Sequence, residues 1–320
     1  MENLGRVVVT GGAGFIGANL CRRLVESGDA AEVVAFDNLS TGLAGNLDGI
    51  DGVELVVGDI TDAPTMTEVL RGADAVVHLA ARPSVPKSIE NPMASHLNNA
   101  TGTLTVLESM RAAGIGRIVV ASSSSVYGAN PTLPKVETLT TMPVSPYAVS
   151  KLATEGYALS YAAVFGFEVV AFRFFNVFGP LQRAGHAYAA VVPAFVDAAL
   201  DARPLTVHGD GTQTRDFTYV GSVADVISTV LTRRISSPTP VNLAFGGRTS
   251  LLELIDVLEG IVGHPLERNH VEPRAGDVHD SQADQNALRA LVGDLEPVDL
   301  VTGLRRTVDW FLSDRGETPA

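Results

Sequence analysis

The sequence predicts an α/β fold: a doubly wound parallel sheet with a smaller C-terminal lobe laid over its open edge. Three observations carry that expectation. Short apolar, β-branched runs alternate with helical stretches through the first half of the chain. A glycine-rich segment joins the first run to the first helix. After about Gly179 the alternation gives way to short helices and loops, punctuated by Pro180, Pro193, Pro204, Pro238, Pro240, Pro265, Pro273 and Pro297.

Taken in order, residues 6–9, 33–36, 54–57, 75–79 and 117–121 read as strands. Each is a continuous apolar run, which suits a strand covered on both faces. Residues 18–27, 64–71 and 92–113 between them read as helices, and a helix over 146–165 followed by a strand over 167–172 extends the pattern. Residues 1–175 are therefore expected to form one domain and residues 176–320 a second lobe. The strand-like stretch 241–245 is a candidate to return to the main sheet.

Composition narrows the function classes. With 46% apolar and 18% charged residues among 320, the chain is core-building and not disordered. No apolar run approaches the ~20 residues of a membrane span. The first six residues show neither the basic nor the apolar region of a signal peptide. Cys21 is the single cysteine, so no intramolecular disulfide can form and a cytoplasmic setting is expected. A net charge of −13 argues against a nucleic-acid partner. It also means that any phosphorylated ligand needs locally placed arginines, for which Arg215 and Arg274 are candidates. The histidines are scattered without metal-ligand spacing, and no metal site is expected.

Thr10-Gly11-Gly12-Ala13-Gly14-Phe15-Ile16-Gly17 follows the first strand and opens the first helix. Glycines there allow a sharp turn and close approach of a pyrophosphate, and the helix N-terminus offers free N–H groups to it. The sheet is therefore expected to be of the Rossmann type, with residues 1–175 binding a dinucleotide. Asp37 closes the second strand. A carboxylate there can accept from the adenosine ribose and repel a 2′-phosphate, which points to NAD over NADP. Asp59, followed by Ile60, ends the third strand, where an adenine could lie or a turn could form.

Tyr147 and Lys151 are spaced i, i+4 on the helix at 146–165 and share a face. A nearby ammonium is expected to lower the tyrosine pKa and make it a general base. The serine run 122–125 follows the fifth strand, and strand C-termini line the ligand crevice in such sheets.

Together these features resemble the extended short-chain dehydrogenase/reductase family, and within it the NAD-dependent nucleotide-sugar 4-epimerases. The resemblance covers nearly the whole chain, through 10–17, 37–38, 58–59, 78–81, Asn99, 122–128, 145–151, 173–176, 209–217 and 274–284. It implies Ser123 as catalytic serine, Tyr147 as base and Lys151 as its partner. It implies a cofactor site of Gly11, Gly14, Phe15, Ile16, Gly17, Asp37, Asn38, Ser40, Asp59, Ile60, Leu79, Ala80, Ala81, Asn99, Ser122, Tyr147, Lys151 and Phe174. Asn99 would belong to the hydrogen-bond network behind the lysine. For the sugar nucleotide it implies Ser84, Ser123, Ser124, Tyr147, Asn176, Ala190, Val191, Val207 and Ser281. Arg215 and Arg274 would meet the diphosphate, and Asp277 a ribose. His208 would lie near the nucleotide but reads as a surface residue.

The implied reaction is 4-epimerisation of a UDP-hexose: UDP-glucose/galactose, and the N-acetylated pair because Ser281 and Ala190 are small. Related 4,6-dehydratases carry an acidic pair where this chain has only the serines of 123–125, which argues against dehydration. UDP-glucuronate 4-epimerase or decarboxylase, another nucleotide-sugar oxidoreductase, and a non-catalytic dinucleotide sensor are the alternatives. The family implies a homodimer paired through the helices at 92–113 and 146–165. Packing of those helices on the sheet alone is the other reading.

Overall fold

A computed structural model describes residues 4–184, 189–272 and 279–317. The main sheet holds β1 (Leu4–Thr10), β2 (Ala30–Asp37), β3 (Val53–Val57), β4 (Ala75–His78), β5 (Arg117–Ser123) and β6 (Glu168–Phe174). Short strands follow: β7 (Val177–Phe178), β8 (Leu205–His208), β9 (Thr214–Arg215) and β10 (Thr218–Tyr219). β11 (Val241–Leu243), β12 (Thr249–Ser250) and β13 (Arg268–Val271) complete the set.

The seven-stranded sheet runs β11-β6-β5-β4-β1-β2-β3, and every pairing in it is parallel. The order reverses between β1 and β4, so the crevice for a ligand opens beyond the ends of those strands. β11 pairs with β6, Val241 opposite Phe172, so the expected return to the sheet occurs.

Helices cover both faces. α1 (Phe15–Glu26) and α8 (Val220–Thr232) pack on each other on one side, where Leu20, Leu24, Val223 and Ile227 are fully buried or nearly so. α2 (Ala63–Val69), α5 (Gly102–Ala113) and α6 (Pro146–Phe165) cover the other. A cut at residue 175 would therefore strip a strand and a helix from the main layer.

The helix expected over 92–113 has an interruption. α3 (Val85–Glu90) and α4 (Pro92–Ser95) lead into a π-helical turn at His96–Thr101, and α5 follows. Such wide turns cluster at functional sites. The remaining elements form a third core: α7 (Val191–Leu200), α9 (Leu251–Val262) and α11 (Leu300–Asp314) pack with β8 through Phe195, Leu205, Leu254 and Leu304. α10 (Asn286–Val292) lies against β11.

Candidate active site

Two cavities open at the C-terminal edge of the sheet and share Val177 and Gln182 as walls. The first, about 360 Å³, is bounded by the glycine turn, the ends of β2 and β4, and the start of α6. Gly11 takes φ +72°, and a Cβ on it would come within 2.8 Å of the Ala80 amide nitrogen. A Cβ on Gly17 would come within 2.1 Å of the Gly11 carbonyl oxygen, so the turn can close on α1 only with glycine there. Gly14 precedes α1 with no side-chain cap, leaving the helix N-terminus to an anionic group.

Asp37 is 8% exposed at the end of β2. Its Oδ2 accepts from the Ala13 amide at 3.1 Å and its Oδ1 from the Leu39 amide at 2.8 Å. Each oxygen keeps a lone pair for a ribose hydroxyl. Asn38, Ser40, Leu79, Ala80, Ala81, Phe15, Ile16 and Phe174 also line this cavity. These groups fit a dinucleotide: a glycine cradle, a helix N-terminus, and a carboxylate at the ribose position.

Two expected members fall elsewhere. Gly58 and Ile60 line the cavity, but Asp59 does not. Its carboxylate closes a turn, accepting from the Thr61 hydroxyl at 2.6 Å and from Asn38 Nδ2 at 2.8 Å. Those bonds hold it below the usual carboxylate range, the Thr61 hydroxyl contributing most. Asn99 is 1% exposed, and it is Asn98 that reaches the wall. Asn99 Oδ1 accepts from the Arg82 amide at 2.6 Å and Nδ2 donates to Ser150 Oγ at 2.9 Å. It ties the π-helical turn to α6 behind the catalytic helix face and does not line the cofactor cavity.

α6 begins cleanly. Ser145 accepts from the Ala148 amide as N-cap and Pro146 opens the first turn. That places Tyr147 in the first turn and Lys151 one turn on, both on the cavity wall with Ser123 from the end of β5. Lys151 is 4% exposed and Nζ donates to the Ala121 carbonyl at 2.8 Å. Burial lowers it from an ordinary 10.5 to about 8.

The Tyr147 phenol departs from expectation. Burial pushes it above its ordinary value of 10, and the hydrogen bond with Ser123 opposes that rise. His78 is fully buried between Thr10 Oγ1 (2.7 Å) and Thr103 Oγ1 (3.0 Å). Burial brings its pKa to about 3, so it is a neutral structural group.

The second cavity, about 520 Å³, lies under α7. Asn176, Ala190, Val191 and Arg215, which the resemblance assigned to the sugar nucleotide, line it. Asn176 holds a positive φ of 27° and donates from Nδ2 to the Asp216 carbonyl at 3.2 Å. Arg215 Nη1 donates to the carbonyls of Thr214 and His279, each at 2.9 Å, which fixes its direction.

Val207 is a correction. It is fully buried in the core beneath, while its strand neighbours Thr206 and His208 line the cavity. The period of two along β8 sends alternate side chains to opposite faces. His208 is accordingly a wall residue and not a surface one. Ser84, Ser124 and Ser281 are not on either wall. Ser84 caps α3, accepting from the Lys87 amide at 3.3 Å. Ser124 begins a tight turn, and the Ser281 amide is held by the Thr214 carbonyl at 3.1 Å. Arg274 and Asp277 lie outside the described residues.

A dinucleotide cradle with a serine, tyrosine and lysine on its wall thus adjoins a cavity bearing an oriented arginine. The sequence pattern of the NAD dependent epimerase/dehydratase family matches residues 7–244. The chain belongs to this family. NAD is its cofactor. It is 36% identical over 316 residues to a UDP-glucose 4-epimerase of Mycolicibacterium smegmatis, covering 96% of this chain and 98% of that protein. Two solved structures are similar throughout. One is a UDP-N-acetylglucosamine 4-epimerase of Methanobrevibacter ruminantium in complex with UDP-N-acetylmuramic acid, with TM-score 0.91, 34% identity, and 98% and 100% of the two chains covered. The other is a Thermotoga maritima UDP-glucose 4-epimerase with UDP-glucose, with TM-score 0.90, 31% identity, and 97% and 99% covered.

Among the residues of this family member, sequence reasoning missed Gln182, Phe178, Arg203 and Leu251 on the cavity walls. Only Gln182 had a local signal, two residues after the Gly179-Pro180 turn that ends β7. The others become neighbours through long-range packing of α7, α9 and β8.

Proposed function

We propose that this chain interconverts the C4 epimers of UDP-hexoses, UDP-glucose with UDP-galactose, and also takes the 2-acetamido pair UDP-GlcNAc and UDP-GalNAc. The carrying observation is the placement of Ser123, Tyr147 and Lys151 on the cofactor cavity where it adjoins the cavity of Arg215 and Asn176, in a chain like 4-epimerases along its whole length.

NAD, when bound, supplies reversible oxidation at the sugar C4. The chain's residues do the rest. Tyr147 takes the proton of the sugar 4-hydroxyl and returns it after the hexose has turned over. A cationic ring in the cavity would favour its phenolate, which burial alone opposes. Ser123 shares the hydrogen bond with the 4-oxygen. Lys151, held on the Ala121 carbonyl, keeps a positive charge behind the tyrosine. Arg215 and Asn176 anchor the diphosphate while the sugar rotates, with Arg274 proposed as a second anchor and Asp277 as a ribose partner. The serines at 122–125 supply no acid for eliminating water.

A small side chain supports the acetamido substrates: Ala190 on the cavity wall. Ser281, which lines neither cavity, adds nothing to that support. Incubation with UDP-galactose, UDP-GlcNAc and UDP-glucuronate, products resolved by NMR, tests the reading. C4 epimers of the first two are expected. Turnover of UDP-glucuronate alone would replace it with a uronate epimerase or decarboxylase.

We further propose a homodimer. Among the described residues Ile89, Met93 and Leu97 form an exposed apolar row at helical spacing beside Val149 and Tyr157 of α6. No helix of the described residues is long and apolar enough to cross a membrane. With Cys21 buried as a free thiol, a cytoplasmic enzyme is the setting we propose.

A further inference from the structure

Asp216 follows β9 directly and is 1% exposed. Oδ2 accepts from the Ala283 amide at 3.1 Å. Oδ1 is buried without a hydrogen bond of normal geometry. It faces the turn after β11, where a Cβ on Gly247 would lie 3.4 Å from it. The Asp216 peptide carbonyl accepts from Asn176 Nδ2 at 3.2 Å. Burial pushes the carboxyl up to about 6, opposed by the backbone amides of Ala283, Gly247, Gly246 and Phe245. A carboxyl buried at such cost, turned away from both cavities, is not placed to touch a ligand. Its chain neighbours Arg215 and Phe217, and the Asn176 it bonds, all line the substrate cavity.

Three segments meet at this one side chain: 214–217, the turn 245–247, and 279–284. Other bonds follow the same seam. Gln282 Nε2 donates to the Gly246 carbonyl at 3.0 Å, and Asp280 accepts from the Thr214 amide at 3.3 Å. Arg215 itself leans on the His279 carbonyl. Shifting the seam would therefore move the guanidinium that the substrate reading assigns to phosphate.

We propose that Asp216 is a positioning residue of the sugar-nucleotide site: its buried carboxyl draws the three loops together and so sets Arg215 and Asn176 for the diphosphate. The role rests on the UDP-sugar reading of that cavity. It places Asp216 outside the chemistry and outside cofactor binding.

Asp216→Asn keeps the shape of the side chain and an acceptor for Ala283 while placing an NH₂ against peptide amides; Asp216→Ala removes both oxygens. Calorimetry with UDP and separately with NAD, plus kcat and KM for UDP-galactose, gives the test. In both variants UDP affinity should fall roughly tenfold or more, the scale of one lost charge-assisted bond. KM should rise in step, with NAD affinity and kcat at saturation within about threefold. The near-isosteric Asn variant carries the test if the Ala variant does not fold. Wild-type UDP affinity in a folded, NAD-binding Asn variant overturns the positioning role alone. Parallel loss of NAD affinity also overturns it, making Asp216 a support of the whole fold. Failure of the wild type to bind UDP overturns the substrate reading, and this role with it.

Discussion

At Tyr147 two effects compete within one side chain. Burial raises its pKa and the Ser123 hydrogen bond lowers it, with burial the larger. A positive charge close to the phenol favours its ionised form and so works against that rise. Tyr147→Phe removes the proton acceptor and little volume. It should keep the fold and NAD binding while kcat falls by about 10²–10⁴. Turnover within a few-fold of wild type, measured with UDP-galactose at saturation, would assign the base elsewhere. At this scale the sequence was legible where chemistry dictates residue type and spacing: glycines in a tight turn, a carboxylate closing β2, a tyrosine and lysine one turn apart. It was less so where direction matters. Val207 was expected at the sugar nucleotide and His208 at the surface, whereas Val207 is buried and His208 lines the cavity, because single residues of a four-residue strand do not reveal which face is buried. The expected Ile60 lines the cavity and its neighbour Asp59 does not, while Asn98, which was not named, reaches the wall and Asn99 lies behind it.

Among elements, the five expected N-terminal strands and their helices were readable from apolar runs, with bounds extended by a residue or more at several ends. The π-helical turn at His96–Thr101 was not, since its sequence keeps an ordinary helical pattern and the widening is set by what packs on it. Asn99 within that turn bonds both Ser150 and the Arg82 backbone. A second unread device joins α6 to the sheet. Glu155, one turn past Lys151, pairs with Arg173 of β6 through bonds of 2.7 and 3.0 Å, and both side chains are about 5% exposed or less. Ser122 Oγ donates to the same carboxylate at 2.7 Å, and Arg173 stacks 4.8 Å from the Tyr127 ring centre. The pair fastens the helix bearing Tyr147 to β6, and the Ser122 bond ties the same carboxylate to the strand end bearing Ser123. Removing one charge strands the other in a dry site, so Glu155→Gln should cost about 3–5 kcal/mol of stability. Replacing both with apolar residues, Glu155→Leu with Arg173→Met, should recover much of that. Urea unfolding of the single and double variants decides; a loss under about 1 kcal/mol in the single variant would mean that water reaches the pair.

For the whole molecule the question is what covers the face opposite the sheet on α3, α4 and α6. These helices pack side by side. Met93 is 62% exposed, Ile89 65%, Leu97 50%, Val149 54% and Tyr157 40%. Scattered apolar side chains on a surface need no partner, but a contiguous set on adjacent helices does. Met93 and Leu97 are four apart on α4 and the π-helical turn that continues it, Ile89 lies on the preceding α3, and Val149 and Tyr157 are eight apart on α6, spacings that form ridges able to pack against a like pair. A second copy is the simplest partner, because a two-fold axis presents the same two ridges to themselves. The charge of −13 opposes association at long range, so the contact must be held by apolar burial. Sedimentation should therefore give twice the chain mass, with little change on raising salt. Met93→Glu with Tyr157→Glu places like charges against their symmetry mates and should yield monomers. Neither side chain lines a cavity, so those monomers should still bind NAD. A wild-type chain that sediments as a monomer at micromolar concentration would show that the ridge serves another partner or none.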